Sequence, residues 1–346
     1  MGQIGLIGRV RGSPISPIGP RSPIRFWPRY VPRNRREIIP MRPLLAPLLF
    51  PPLDYPGKNP DGPRRPMPNP KLIHVANLWS LTDYPSAVSP WSLEEQLDAV
   101  KAAGFDGFTT ELGSDHGREA QKRGLFVVGY FASGDETKFS DLLKSQKDAG
   151  ARHINVQLAD HDTTPDDALR LTLRLLEEAD RIGEIEPAVE VHRDTCTETP
   201  EKAYALADGY LKKTGKLLPM TWDFSHLSVV KHLSPENYIE RLLVRPNLIR
   251  RSIQFHFRPF NGHHCQVPVT RGDGSVTKEL RDWLPFVRAT IDIWLGTDKG
   301  EDRTMIAVPE MGPVKGGYNF EQLPNSWEEA IRLRSMLDLI WREAVA

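Results

Sequence analysis

From Lys71 onward the chain alternates short apolar runs with amphipathic, helix-like segments, and this alternation constrains the fold more than any other feature. Eight apolar runs occur, with the sequences LIHVANL, GFTTEL, LFVVGYFA, HINVQLA, PAVEVH, PMTWDF, SIQFHF and TMIAVPE. Strands that alternate with helices form parallel sheets, and eight such units predict an α/β protein with a closed (β/α)8 barrel. No G-x-G-x-x-G follows the first run, which disfavours an open dinucleotide-binding sheet.

The helix-like segments carry start and stop signals at the expected places. Ser92 precedes Glu95 by three residues, and Thr164 is followed by Pro165, both of which are typical of a helix N-terminus. Gly124 and Gly215 are typical of a helix C-terminus. The predicted helices cover residues 92–103, 116–123, 136–149, 165–182, 200–214, 235–245, 277–295 and 326–344.

Residues 1–70 differ in composition from the rest of the chain. They contain 17 of the 31 prolines and eleven arginines, and no helical or strand period persists beyond a few positions. Such a segment cannot bury enough apolar surface to offset the entropy lost on ordering. We therefore predict a disordered Pro/Arg-rich extension over residues 1–70 and a barrel domain over residues 71–346. A targeting segment, or a start codon assigned too far upstream of Met41 or Met67, is the alternative.

The formal net charge of zero hides an uneven distribution of charge. Residues 1–70 carry twelve Lys or Arg against three Asp or Glu, whereas residues 71–346 carry 33 against 42. An acidic barrel disfavours binding to nucleic acid, and no stretch approaches the roughly 18 apolar residues of a membrane span. Because only two cysteines occur, a reducing compartment is expected. These features predict a cytoplasmic protein with neither nucleic-acid nor membrane partners, and they are compatible with a homo-oligomer.

Four acidic or histidine side chains lie at the ends of apolar runs in the second half of the chain. They are Glu190 in PAVEVHR, Asp223 in PMTWDFSH, His256 in IQFHFRP and Glu310 in MIAVPEMG. The C-terminal ends of parallel strands meet at one rim of a barrel, so these side chains are expected to converge. Buried carboxylates repel one another, and carboxylate combined with imidazole binds divalent cations. The sequence therefore predicts a metal site at this rim.

The chain from residue 71 onward resembles the xylose isomerase-like TIM barrels, in particular the sugar isomerases and epimerases related to the ketose 3-epimerases. The resemblance rests on Glu190, on Asp223 followed three residues later by His226, on His256 and on Glu310. It implies that Glu190, Asp223, His256 and Glu310 hold one divalent cation, Mn²⁺ or Mg²⁺, with Zn²⁺ or Co²⁺ as alternatives. It also implies that Glu190 and Glu310 act as catalytic base and acid on opposite faces of the substrate.

Substrate contacts are expected from other polar residues near the same rim. Arg258 is similar to the family's substrate-contacting arginine, and His226 would hold substrate oxygens beside it. Strand parity adds His192, Gln157 and Glu111 as further substrate-binding candidates. Each has a structural alternative: His226 could orient a metal ligand, Arg258 could neutralise a carboxylate, and the others could be satisfied polar groups at the end of the barrel.

The resemblance predicts an isomerase or epimerase of a sugar or keto-sugar that transfers a proton through a metal-stabilised enediolate. A metal-dependent lyase or hydratase acting on a keto-sugar or related polyol derivative is the main alternative, because the same site could stabilise the same charge. A noncatalytic sugar-binding barrel and a metal-free cluster of paired charges are further alternatives. An apurinic-endonuclease-like phosphodiesterase is less well supported, since the strand ends TTEL and GYFA lack the histidines of a zinc cluster.

Overall fold

Eight parallel strands form a closed barrel in the computed structural model, which describes residues 70–296 and 303–346. The strands pair in sequence order, and the last closes against the first. The predicted α/β TIM barrel is therefore confirmed, whereas the predicted extension lies outside the described residues except for Pro70. The strands are β1 Lys71–Asn77, β2 Gly107–Thr109, β3 Phe126–Ser133, β4 His153–Leu158, β5 Glu186–Glu190, β6 Met220–Trp222, β7 Gln254–His256 and β8 Thr304–Val308.

A helix or helical segment follows each strand along the chain. Within the described residues, no helix is both long and apolar enough to cross a membrane. The α-helices are α1 Leu93–Ala102, α2 Ser114–Arg123, α3 Phe139–Asp148, α4 Pro165–Ile182, α5 Pro200–Thr214, α6 Phe224–Val230, α7 Tyr238–Leu242, α8 Pro246–Arg251, α9 Lys278–Leu295 and α10 Ser326–Val345. Short 3-10 helices cover Leu78–Leu81, Glu136–Lys138 and Pro235–Asn237.

The predicted capping signals form as expected. The Ser92 side chain accepts a hydrogen bond from the Glu95 backbone N–H while the Glu95 carboxylate accepts one from the Ser92 N–H, which completes a capping box at the start of α1. Gly124 ends α2 in the left-handed conformation, with φ of 64°, which glycine adopts without steric cost.

The region after β6 differs from the sequence prediction. The single helix expected over residues 235–245 is a 3-10 turn at Pro235–Asn237 followed by α7, and α8 begins separately at Pro246. A proline disfavours the helical conformation in the residue before it, and Arg245 accordingly has φ of −123° and ψ of 64°. The short helix α6 was not predicted, because its sequence FSHLSVV is buried along most of its length and shows no amphipathic period.

Strand parity divides the side chains between the barrel interior and the layer under the helices. Phe255 on β7 and Phe257 directly after it belong to the large core beneath the helices, while Gln254 and His256 are buried on the other face. A small apolar cluster fills the interior, on the same strand faces that carry the site residues further along the chain. Its members are Val75, Val128, Ile306 and Val308.

His153, the first residue of β4, gives the fold a pH dependence. It is buried, neither ring nitrogen has a hydrogen-bond partner among the described residues, and burial, assisted by the charge of His256, lowers its pKa to about 4. An unfolded histidine titrates near about 6.5, so between these two values the unfolded chain binds more protons than the folded chain. The free energy of unfolding is therefore unaffected by the titration of His153 above about pH 6.5, and it decreases as the pH falls from there towards 4.

We expect His153→Leu to reduce the loss of stability between pH 7 and pH 4.5 by about 2 kcal/mol. Urea unfolding at the two pH values measures the change. His263→Leu, which replaces an exposed histidine, is the control for the substitution itself. A His153→Leu protein with the same pH dependence as the unmodified chain would contradict the assignment.

Candidate active site

A cavity of about 380 Å³ opens at the C-terminal ends of the strands, which is the end of a TIM barrel where active sites lie. Asp223 and His226 contact Arg258 rather than lining the cavity themselves. The other sequence-predicted site residues all line it, namely Glu111, Gln157, Glu190, His192, His256, Arg258 and Glu310.

The four predicted metal ligands converge at this end of the barrel. One ligand atom from each of Glu190, Asp223 and His256 lies within 4.8 Å of the other two. Glu310 lies next to these three residues, because its Oε2 is 3.1 Å from the His256 Nδ1. Oε1 of Glu190 is 3.0 Å from the same nitrogen. All four side chains are buried. The ends of four successive strands thus place three carboxylates around one imidazole.

Two buried atoms in this cluster have no hydrogen-bond partner among the described residues. They are Nδ1 of His256 and Oε2 of Glu310, which lie close together but not in hydrogen-bonding geometry. A buried polar atom without a partner costs about 1–3 kcal/mol, and both atoms are of the kinds that would serve as ligands to a bound cation. Carboxylate oxygens with one imidazole are ligands that suit Mn²⁺ and Mg²⁺. The residues present therefore fit a divalent cation.

The electrostatics of the cluster favour ionised carboxylates. Burial alone would lower the pKa of His256, but Glu310 and Glu190 outweigh it and raise that pKa well above its usual value. Burial alone would raise the pKa of both glutamates, yet His256 lowers that of Glu190, and Arg258 together with His256 lowers that of Glu310. The carboxylates consequently stay charged, and a cation that binds here would replace the proton that His256 carries.

Glu190 is held in place by amide donors from β4. Its Oε2 accepts hydrogen bonds from Asn155 Nδ2 at 2.8 Å and from Gln157 Nε2 at 2.9 Å. The Tyr130 hydroxyl donates to Gln157 Oε1 at 3.0 Å, and burial, with the nearby charge of Glu190, raises the pKa of Tyr130 so that it remains a donor. These contacts direct Oε1 of Glu190 towards His256. Gln157 therefore contacts a predicted ligand as well as the cavity.

Glu310 has a different partner, which the sequence analysis missed. Asn77, at the end of β1, donates from Nδ2 to Glu310 Oε1 at 2.8 Å and accepts on Oδ1 from the Trp79 backbone N–H at 3.0 Å. The second hydrogen bond caps the 3-10 helix Leu78–Leu81 and fixes the amide. The available signal was positional, because Asn77 is a polar residue at the end of a strand, like the predicted ligands. This contact leaves Oε2 of Glu310 without a hydrogen bond.

Asp223 and Arg258 form a fully buried ion pair beside the cluster. Arg258 Nη2 donates to Asp223 Oδ2 and also lies 2.9 Å from His226 Nε2 and 3.7 Å from Glu310 Oε2. Burial would raise the pKa of Asp223, but Arg258 and His226 hold it well below its usual value. Asp223 Oδ1 accepts from the Ser225 N–H and caps α6. Arg258 therefore neutralises a carboxylate and faces the cavity at the same time.

The rim of the cavity is aromatic and charged. Trp79 and Tyr318 pack edge to face with ring centroids 4.9 Å apart. The guanidinium groups of Arg193 and Arg258 lie 4.6 Å and 5.1 Å from the centroid of the Tyr318 ring. Neither Tyr318 nor Arg193 was predicted, because both lie in loops, where no strand period identifies the inward face.

The remaining two predicted residues also lie at the rim. His192 packs edge to face against His226, with ring centroids 4.2 Å apart, and its Nδ1 is 2.6 Å from the Arg193 carbonyl oxygen. Glu111 is exposed, two positions beyond the end of β2, on the wall of the cavity. Both side chains can reach a ligand that enters from solvent.

Comparison with known proteins gives likenesses of fold at low sequence identity. A xylose isomerase-like TIM barrel protein from Mycobacterium smegmatis in complex with magnesium is 15% identical, with a TM-score of 0.49 over 79% of this chain and 98% of that chain. A sugar phosphate isomerase/epimerase from Parabacteroides distasonis is 13% identical, with a TM-score of 0.47 over 80% and 96% of the two chains.

A probable 3-DHS dehydratase involved in petrobactin synthesis from Bacillus anthracis is 14% identical, with a TM-score of 0.47 over 76% of this chain and 98% of that chain. No family model matches the sequence, and no curated protein matches it. The expected resemblance to xylose isomerase-like barrels is thus found again among solved structures, as a likeness of fold.

Proposed function

We propose that this protein is a divalent-metal-dependent isomerase or epimerase of a sugar or keto-sugar. One observation carries the proposal: three buried carboxylates and one imidazole converge at the cavity, with Glu190 and Glu310 both within about 3 Å of the His256 Nδ1. A bound divalent cation would supply Lewis-acid stabilisation of negative charge on the substrate oxygens. The reaction class is proton transfer at a carbon next to a carbonyl, through an enediolate.

The two glutamates differ in a way that suits opposite roles. Oε2 of Glu310 has no hydrogen bond among the described residues, so beside a bound cation it keeps a lone pair that can accept a proton from the substrate. Oε2 of Glu190 is saturated by Asn155 and Gln157, which leaves its Oε1 as the atom that exchanges a proton on the other side. Arg258, 3.7 Å from Glu310, would stabilise the charge that develops on the substrate.

The cavity suits a small polar substrate. Its volume of about 380 Å³ lies at the lower end of the range of roughly 300–1,000 Å³ for ligand sites. Most of the residues that line it carry amide, hydroxyl, imidazole, guanidinium or carboxylate groups, and Trp79 offers a ring for stacking at the mouth. A sugar has hydroxyl groups that can hydrogen-bond to the polar groups and an apolar ring face that can stack on Trp79. The free thiols Cys196 and Cys265 are compatible with the cytoplasmic location that we propose.

Solvent-proton exchange tests the proposal. The purified protein, loaded with Mn²⁺ or Mg²⁺, is incubated with a panel of ketoses and keto-sugars in D₂O, and the products are analysed by NMR and mass spectrometry. We expect deuterium at the carbon next to the carbonyl in a product with no loss of water. A product that has lost water would instead identify the lyase or hydratase alternative, and binding without either change would identify a sugar-binding barrel.

A further inference from the structure

Arg193 is a charged group at the cavity for which the proposed reaction has no role. It follows β5, its side chain is exposed, and it lies on the cavity wall. In the described part of the chain no carboxylate forms an ion pair with it, and its neighbour Asp194 instead contacts His161 at 2.5 Å. Its polar side-chain contact is Cys265 Sγ, 3.8 Å from Nη1, and thiols are weak acceptors. Its hydrogen-bonding capacity is therefore largely unused.

The side chain is nevertheless fixed in position. Its guanidinium lies 4.6 Å from the centroid of Tyr318, the same ring that Arg258 approaches from the catalytic cluster. Stacking on an aromatic ring immobilises a guanidinium and leaves its N–H groups free at the edge. The Tyr318 ring thereby contacts two guanidinium groups, that of Arg258 in the site and that of Arg193 at the rim.

The charge of Arg193 is not needed to balance the catalytic cluster. The carboxylates of Glu190, Asp223 and Glu310 carry three negative charges, and Arg258 together with a divalent cation carries three positive ones. An immobilised and unpaired guanidinium at the mouth of a cavity is thus available to a ligand that brings its own negative charge.

We propose that Arg193, held on Tyr318, binds a carboxylate of the substrate, so that the substrate is a sugar acid rather than a neutral sugar. The planar fork of a guanidinium matches a carboxylate in a bidentate geometry. A phosphate dianion is bulkier and is usually held by several donors, whereas the cavity wall of the described chain offers one unpaired cation at the rim. This assignment rests on the proposed function, because it names the substrate class of the same cavity.

Direct binding to the intact, Mg²⁺-loaded protein tests the assignment without requiring turnover. Isothermal titration calorimetry compares three probes that differ only at the sixth carbon: glucuronate, glucose 6-phosphate and glucose. We expect glucuronate to bind at least about tenfold more tightly than glucose, and Arg193→Gln to abolish that difference while glucose binding stays unchanged. Arg193→Lys, which keeps the charge but loses the fork, should restore part of the preference.

A matched control is Arg245→Gln, which removes a guanidinium stacked 5.2 Å from the Tyr204 ring, away from the cavity, and should leave all three affinities unchanged. Equal affinity for glucuronate and glucose, or a preference that survives Arg193→Gln, would overturn the assignment, and tighter binding of glucose 6-phosphate would replace carboxylate by phosphate. Deuterium exchange on the same compounds separates this proposal from the proposed function. Carboxylate-selective binding that depends on Arg193, without exchange, overturns only the reaction, whereas exchange without the preference overturns only the subsite.

Discussion

Glu310→Gln is expected to lower the rate of solvent-proton exchange by about 10²- to 10⁴-fold while leaving the fold intact. The glutamine has nearly the same shape, and its carbonyl oxygen can still accept the hydrogen bond that Asn77 donates. It cannot accept a proton from carbon at Oε2, and it removes one negative charge next to His256 and Arg258. Exchange rates in D₂O and a thermal unfolding curve measure the two effects separately.

The matched control for this substitution is Glu178→Gln. Glu178 is also a buried glutamate, but it lies on α4 between Arg174 and Arg181 and is not part of the cavity. Its amide variant should lose some stability and retain the exchange rate. Exchange at an unchanged rate in Glu310→Gln would remove the two-glutamate mechanism.

Removal of divalent cations is expected to abolish exchange and to lower the stability of the folded chain. At a cation concentration of 100 times the dissociation constant, binding to the folded state alone stabilises it by about 2.7 kcal/mol. Chelation followed by urea unfolding measures this loss, and addition of Mn²⁺ or Mg²⁺ should reverse it. Solvent-proton exchange that persists after thorough chelation would contradict the metal assignment.

The affinity for the cation should also rise with pH. Glu310 and Glu190 raise the pKa of His256, so its imidazole keeps a proton that must leave before the nitrogen can bind a metal. The apparent dissociation constant should therefore fall by up to about tenfold per pH unit below that pKa. His256→Gln should lose stabilisation by the cation, whereas His263→Gln, which changes an exposed histidine, should keep it.

The barrel could be predicted because the sequence signals for its strands and helices are local. Each strand is a short apolar run, each long helix has a cap and an amphipathic face, and order along the chain alone fixes which strand ends meet. Where those signals weaken, the predicted bounds were too wide. The run GFTTEL forms strand only over Gly107–Thr109, because pairing with β3 ends at Thr109.

The candidate site likewise has features that local sequence signals predict and features that they do not. The proximity of Glu190, Asp223, His256 and Glu310 could be predicted, because strand order and a family resemblance locate them without knowledge of any contact. Which oxygen is left free, and which partner fixes each carboxylate, depends on neighbours from strands distant in sequence. The cavity-facing positions of Arg193 and Tyr318 depend on loop conformation, which no period encodes.

The hydrogen bond between Asn77 and Glu310 joins residues that are 233 positions apart. It spans the seam where β8 meets β1, so the carboxylate acquires its final orientation only when the ring of strands has closed. A chain in which β8 has not paired with β1 would lack the hydrogen bond that orients the Glu310 carboxylate.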